Sequence, residues 1–221
     1  MKIVAVCGLL REARIAAQGG VVAIAGGGDA KRLAAELSRA ASNARGIVSF
    51  GIAGGLTPGL KSGTCIIATE VIHGGERMAT HAAWRGRMKE KLPDAFLAPI
   101  AGTSSIVSSP EAKAALRAHT SAAAVDMESH VAAIFARERN IPFAALRVIA
   151  DPAEAALPQA ALVALSPDGS IRYGAVLRSV LSNPAQIPAL MATARQSKIA
   201  FAQLLRCVQA LGPGLAAPDV G

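Results

Sequence analysis

The sequence predicts an α/β fold, a mixed β-sheet sandwiched by helices in one domain, and three observations predict it. Short apolar runs alternate with helix-patterned stretches along most of the chain, the signature of strands covered by helices. Several of those runs end in glycines, as in Gly26-Gly27-Gly28 and Gly51-Ile52-Ala53-Gly54-Gly55, where an open sheet turns its strand ends towards loops and ligands. A chain of 221 residues, 52% of them hydrophobic, can fill one large core.

Residues 3–8 read as a buried first strand and 21–25 as a second, with a helical pattern following from Lys31 to Ser42. Apolar runs at 47–52 and 64–72 continue the sheet, a helix is expected over 84–91, and strands over 97–101 and 103–107. Pro110 opens a helix with Ser109 as N-cap and Glu111 in the first turn, because proline suits N1 and an acid suits the positive end of the helix dipole. A strand at 122–126, a helix over 128–139, a strand at 143–149 and a long helix over 187–211 complete the alternation. The segment 152–184, with four prolines, is expected to be the least regular part. The domain spans 1–211, and the tail 212–221 is expected to be disordered.

A formal charge of +8 suits an anionic partner, yet no basic stretch is interleaved with aromatics as a nucleic-acid stripe would be. Nucleic acid is therefore not an expected partner. Arg85, Arg87, Lys89 and Lys91 form the densest basic cluster, read first as a solvated helix face. The start, with one Lys and a short apolar run, reads as a strand and not as a secretion signal, and no run has the roughly 18 apolar residues of a membrane-spanning helix. Cys7, Cys65 and Cys207 are odd in number and have no CxxC pair, as reduced core residues of a cytoplasmic protein would be. His73, His81, His119 and His130 have no metal-ligand spacing, so no metal and no cofactor are expected.

Two acidic signatures carry the chemistry: Asp126-Met127-Glu128-Ser129 and Arg147-Val148-Ile149-Ala150-Asp151-Pro152. Glu128 falls at a helix start, whose field is expected to keep it ionised as a double acceptor for vicinal hydroxyls. Asp151 falls at a strand's carboxyl end, where partial desolvation raises a carboxyl pKa and suits it to proton donation. The glycines of 51–55 are expected to form a loop, either a structural turn or one that brings backbone N–H groups to a ligand.

The ordered set Gly51-Ile-Ala-Gly-Gly-Leu, Val125-Asp-Met-Glu-Ser, Ile141-Pro-Phe and Arg147-Val-Ile-Ala-Asp resembles the superfamily of purine nucleoside phosphorylases and methylthioadenosine/S-adenosylhomocysteine nucleosidases. The likeness covers residues 2 to about 151 and resumes in the final helix. It implies that Met127 and Glu128 hold the ribose, that Asp151 protonates or hydrogen-bonds the purine N7, and that Gly51, Ile52, Ala53, Gly54 and Gly55 lie beside the nucleophile. Arg147 would orient the acidic segment. The resemblance also implies a homo-oligomer, dimer or higher, acting on a nucleoside.

Departures fall on the nucleophile side. Glu12 is the candidate for activating water but stands one place early against the nucleosidase pattern, with Ala13 in the expected slot. Ile52 and Ser49 replace the phosphate-contacting serine and arginine of many phosphorylases, Arg11 and Arg14 are the candidate substitutes, and Ala150 replaces the serine that commonly precedes the catalytic aspartate. Water and phosphate both stand as acceptors, phosphate then being a co-substrate. Gly8-Leu9-Leu10-Arg11-Glu12-Ala13-Arg14 and Arg-Val-Ile-Ala-Asp-Pro look most similar to the hopanoid-associated phosphorylase branch, which implies removal of adenine from adenosylhopane. A lipid-linked substrate would fit peripheral contact with the inner face of a membrane, through Ala155 to Leu165 and the basic helix near residue 85. The alternatives are a nucleosidase for methylthioadenosine, S-adenosylhomocysteine or futalosine, and a non-catalytic nucleoside-binding module; retention of both Glu128 and Asp151 counts against the last.

Overall fold

The computed structural model describes residues 2–164, 166, 169–170 and 172–218. The sheet begins with β1 (Ile3–Cys7), β2 (Val22–Ala25) and β3 (Gly46–Gly55), and continues with β4 (Cys65–His73), β5 (Glu76–Ala79), β6 (Phe96–Gly102), β7 (Ala124–Asp126) and β8 (Phe143–Asp151). The helices are α1 (Leu10–Ala17), α2 (Ala30–Ala40), α3 (Ala82–Lys91), α4 (Pro110–Thr120), α5 (Ser129–Glu138), α6 (Gln159–Leu162), α7 (Tyr173–Ser182) and α8 (Ile187–Leu211). The strand order is β2-β1-β3-β7-β6-β4-β5, and β8 pairs with both β3 and β4.

That double pairing matters for function. β3 pairs with β8 in parallel through most of its length, then with β7 in antiparallel fashion at its end, so Gly54 has Asp151 on one side and Val125 on the other. The ends of β7 and β8, with the acids that follow or terminate them, are thereby brought against one stretch of β3.

All nine residues of β8 are buried, as expected of a strand covered on both faces. Its side chains divide by parity: Ala144, Leu146, Val148 and Ala150 join the core under α1 and α8, while Phe143, Ala145 and Ile149 join the core under α2 and α5. Arg147 and Asp151 share the second parity, because successive side chains alternate faces. Two charged groups thus stand on a face otherwise made of core residues.

Several expectations change. Residues 103–107 form no strand, since Thr103 N–H already bonds back to Asp126 O and the chain leaves the sheet there. Between 152 and 184, α6 and α7 are regular helices. The tail is packed at least to Pro218: Leu215 and Ala216 are buried, and Trp84 Nε1 donates to Leu215 O at 2.8 Å. Residues 219–221 lie outside the described residues. The hairpin β4–β5 and α1 were not expected from the sequence pattern.

Candidate active site

The polar centre is built around Arg147, which is fully buried. Its Nε lies 2.9 Å from Asp126 Oδ2, its Nη2 donates to Ser49 Oγ at 2.5 Å, and Nη2 stands 3.8 Å from Glu128 Oε2. Asp126 also accepts from the backbone N–H groups of Glu128 (2.9 Å) and Ser129 (2.7 Å) through Oδ1, and Ser129 Oγ donates to its Oδ2. Asp126 therefore satisfies the first N–H groups of α5, a capping task. Glu128, at the N-cap position itself, makes no side-chain cap bond, which leaves its carboxylate to line the cavity.

Glu12 approaches the same centre from α1. Its Oε2 accepts from Gly8 N–H (2.7 Å) and Leu9 N–H (2.8 Å), and its Oε1 from Ile52 N–H at 2.8 Å. Two glycines make this convergence possible. A Cβ on Gly51 would lie 2.6 Å from Arg147 Nη1 and 2.7 Å from Glu12, and one on Gly8 would lie 2.9 Å from Glu128 Oε1. Removing those side chains admits the acids and the guanidinium to one small volume.

Three carboxyl groups around one guanidinium leave negative charge in excess. Burial pushes the Glu128 carboxyl up to about 8, with Arg147 opposing and Asp126 and Glu12 reinforcing the rise. Burial also raises Glu12, against Arg147 and the three backbone N–H groups that hold its charged form. The helix start does not keep Glu128 in the ordinary carboxylate range, because loss of solvent outweighs the dipole of a single first turn.

Asp151, the last residue of β8, faces the same cavity from the opposite side of β3. Its Oδ2 is 2.6 Å from Nζ of Lys113, which reaches in from α4 and has no exposed surface. Burial raises the Asp151 pKa, and the Lys113 ammonium holds the rise back.

The cavity is about 770 Å³, large for a small-molecule pocket, for which roughly 300–1,000 Å³ is usual. One end is the acidic centre, with Glu12, Ile52, Ala53, Gly54, Met127, Glu128 and Asp151 on its wall. The rest is lined mainly by small or apolar side chains, among them Leu9, Ile106, Val107, Leu157, Ala160, Ala161, Val176, Leu190 and Phe201.

The sequence matches the family described as the Phosphorylase superfamily over residues 6–182. The chain belongs to the phosphorylase superfamily. It is accordingly an enzyme of the phosphorylase type. No curated protein is a sequence match. Among solved structures, the fold is similar to the 5′-methylthioadenosine/S-adenosylhomocysteine nucleosidase of Neisseria meningitidis in complex with methylthio-immucillin-A (21% identity, TM-score 0.66, covering 95% of this chain and 97% of that one). It is also similar to the nucleosidase of Colwellia psychrerythraea 34H in complex with adenine (16%, 0.64, 96% and 96%) and to a futalosine hydrolase mutant of Helicobacter pylori strain 26695 (16%, 0.60, 89% and 99%).

Within this superfamily member, the residues singled out by sequence fall into two groups. Glu12, Ile52, Ala53, Gly54, Met127, Glu128, Asp151 and Arg11 line one cavity. Gly51, Gly55 and Arg14 do not. Residues 51–55 are strand, not loop, because β8 and then β7 pair with them throughout; the Ile52 N–H goes to Glu12 instead of a ligand. Arg14 is exposed on the outer face of α1, and the Arg11 guanidinium lies over the Phe201 ring at 4.2 Å. Glu12 occupies the site despite its offset from the expected slot, and Ala13 packs in the core. Sequence reading missed Lys113 and the capping role of Asp126. An acid two and three residues before the N–H groups of a helix start was a readable cap signal, and Lys113 shares a helical face with Leu116, three residues on.

Proposed function

We propose that this enzyme hydrolyses the N-ribosyl bond of an adenine nucleoside bearing a large apolar 5′ substituent, adenosylhopane being the substrate that fits the reading best. The observation that carries it is one cavity of about 770 Å³ that joins the acidic centre to a mostly apolar wall. Bond breaking makes the ribose oxocarbenium-like and places electrons on the purine. Asp151 gives its proton to the leaving base, Glu128 and the Met127 side chain hold the ribose, and Glu12 takes a proton from the attacking water. Water is the acceptor in this reading because Glu12, on the cavity wall, can take its proton, and because the guanidinium at the acidic centre, Arg147, is already engaged by Asp126, Glu128 and Ser49. No cofactor is needed for these steps.

The amphiphilic substrate fits a lipid surface against a helix that also lines the cavity. The residues expected to touch a membrane do other work: Leu157, Ala160, Ala161 and Ala164 line the cavity, Leu165 lies outside the described residues, and Arg85 and Lys89 bond backbone carbonyls of their own neighbourhood. The face that fits is α7 with the start of α8. Tyr173, Leu177 and Leu181 are 77%, 60% and 72% exposed, with Ile187 and Met191 next along the chain. From Gly169 to Pro218 there is no Asp or Glu, against Arg172, Arg178, Arg195, Lys198 and Arg206, so the face suits an anionic bilayer at the cytoplasmic side. No described helix is long and apolar enough to cross it.

The deciding experiment incubates the enzyme with adenosylhopane in anionic vesicles and with methylthioadenosine, each with and without phosphate, and measures adenine. Release from the lipid without phosphate supports the reading. Release from methylthioadenosine alone moves the assignment to a nucleosidase for water-soluble substrates, strict phosphate dependence overturns hydrolysis, and no release from any nucleoside leaves a binding module.

A further inference from the structure

Lys113 is the one fully buried lysine among the described residues, and it is not part of the cavity wall. Its ammonium donates to Asp151 Oδ2 at 2.6 Å, to Pro152 O at 2.8 Å and to Ala155 O at 2.9 Å. Three N–H donors meet three acceptors, so the group is complete only as the cation. The same segment is tied a second time to the start of α4, through Leu157 N–H to Ser108 O at 2.9 Å.

We infer that Lys113 is the positioning residue of Asp151: it engages one carboxylate oxygen, leaves the other for the leaving base, and locks the turn 152–155 that joins the acid to the apolar wall. This rests on the reading of Asp151 as the leaving-group acid. A buried ammonium of this kind does two things that a neutral anchor cannot. It fixes the rotamer of the acid at the distance proton transfer requires, and it holds the acid's proton affinity below what burial alone would set, nearer the working pH of an efficient donor.

The charges facing Asp151 are few. β3 presents Gly54 to it and α4 presents Lys113. In the segment after β8, Glu154 lies in the field of Lys113 and accepts from Gly59 N–H at 2.9 Å. Glu12, Asp126, Glu128 and Arg147 form their own cluster around the guanidinium. Lys113 is therefore the charge whose removal Asp151 feels.

The test compares wild type with Lys113→Met, Lys113→Gln and Lys113→Arg by the pH profile of kcat/KM for adenine release and by the carboxyl-carbon NMR titration of Asp151. In Lys113→Met the alkaline limb and the Asp151 titration both move up by about one to three pH units. The kcat falls about ten- to a hundredfold while KM changes little. Lys113→Arg returns the limb to near its wild-type position, and Lys113→Gln, neutral but able to donate, gives the Met result should the Met variant not fold. Neutral variants that lose thermal stability yet keep both titrations in place overturn the inference and make Lys113 a structural staple. Full turnover by Asp151→Asn instead overturns the acid role on which the inference rests, whereas an unshifted Asp151 titration overturns the inference alone.

Discussion

The two ends of the cavity are built in opposite ways. At the sheet end, Arg147, Asp126, Ser129, Ser49 and Glu12 are buried and hydrogen-bonded to one another or to backbone on adjoining elements. At the helical end, α6, α7 and the first half of α8 contribute mostly small or apolar side chains, with Gln196 and Lys198 the larger polar ones, and α7 has no buried residue at all. A network of partnered charges in a close-packed core has one low-energy arrangement, since any shift strands a buried charge. An apolar wall of alanines and exposed helices has many, because dispersion contacts carry no direction. The chemistry therefore resides where geometry is fixed, and the choice of substrate where side chains can change without cost to the fold.

The largest expected effect breaks the sheet end at its acid. Asp151→Asn lowers kcat by about 10³-fold or more, the upper part of what general acid catalysis supplies, with an unchanged circular dichroism spectrum; wild-type rates would remove Asp151 from the chemistry. Arg147→Met tests whether the sheet end is a single network. It leaves Asp126, Glu128 and Glu12 without their shared cation and costs about 3–5 kcal/mol of stability, read as a fall in the urea midpoint, whereas a loss below about 1 kcal/mol would mean that the cluster's contacts are dispensable.

Glu128 sharpens the same point by pH. Its folded pKa, about 8, lies above that of an exposed glutamate, about 4.3, so the folded state holds this proton more tightly than the unfolded chain. Stability from this group is fully present below about pH 4.3 and is lost as pH rises through about 8. Glu128→Gln is expected to flatten the decline in thermal midpoint between those limits while weakening turnover, and a wild-type decline that persists in the variant assigns it to other groups.

The smaller effects belong to the helical end. Ala161→Trp fills part of the apolar cavity and is expected to lower turnover of an adenosine with a bulky apolar 5′ group while leaving methylthioadenosine turnover, if present in wild type, near its original value; equal losses on both would mean that this wall does not select the substrate. Leu177→Glu with Leu181→Glu, off the cavity wall, is expected to reduce flotation with anionic vesicles and to spare turnover of a dispersed substrate. Light scattering on the same variant distinguishes a lipid face from a face between two copies: dissociation of a dimer would assign α7 to a second copy.

How much was readable in advance follows the same division. Glu128 and Asp151 were legible because each stands at a boundary between a strand and a helix or loop, where local sequence signals are strong. Helix α4 with Ser109 as N-cap was legible for the same reason, and Ser109 does accept from Ala112 N–H at 3.2 Å. Residues 51–55 were misread as a loop because glycines look like turn residues in one dimension, whereas here they make room for Glu12 and Arg147 across the sheet. Lys113 could not be paired with Asp151, 38 residues away, because the contact depends on where α4 packs. Helix α7 was obscured by the prolines around it, and its exposed face lacks the buried stripe by which helices are ordinarily recognised.

The sequence by itself determined the alternation of strands and helices, the phosphorylase-superfamily membership over residues 6–182, and the two acids at element ends, since these follow from local periodicity and short motifs. Only the tertiary structure decided that β3 lies between β7 and β8 at its end, that one guanidinium serves three carboxyl groups, that a buried lysine sits behind the proposed acid, and that an apolar wall completes the cavity. Those features come from contacts between residues far apart in the chain, and burial, which sets their charge states, is a property of the packed molecule.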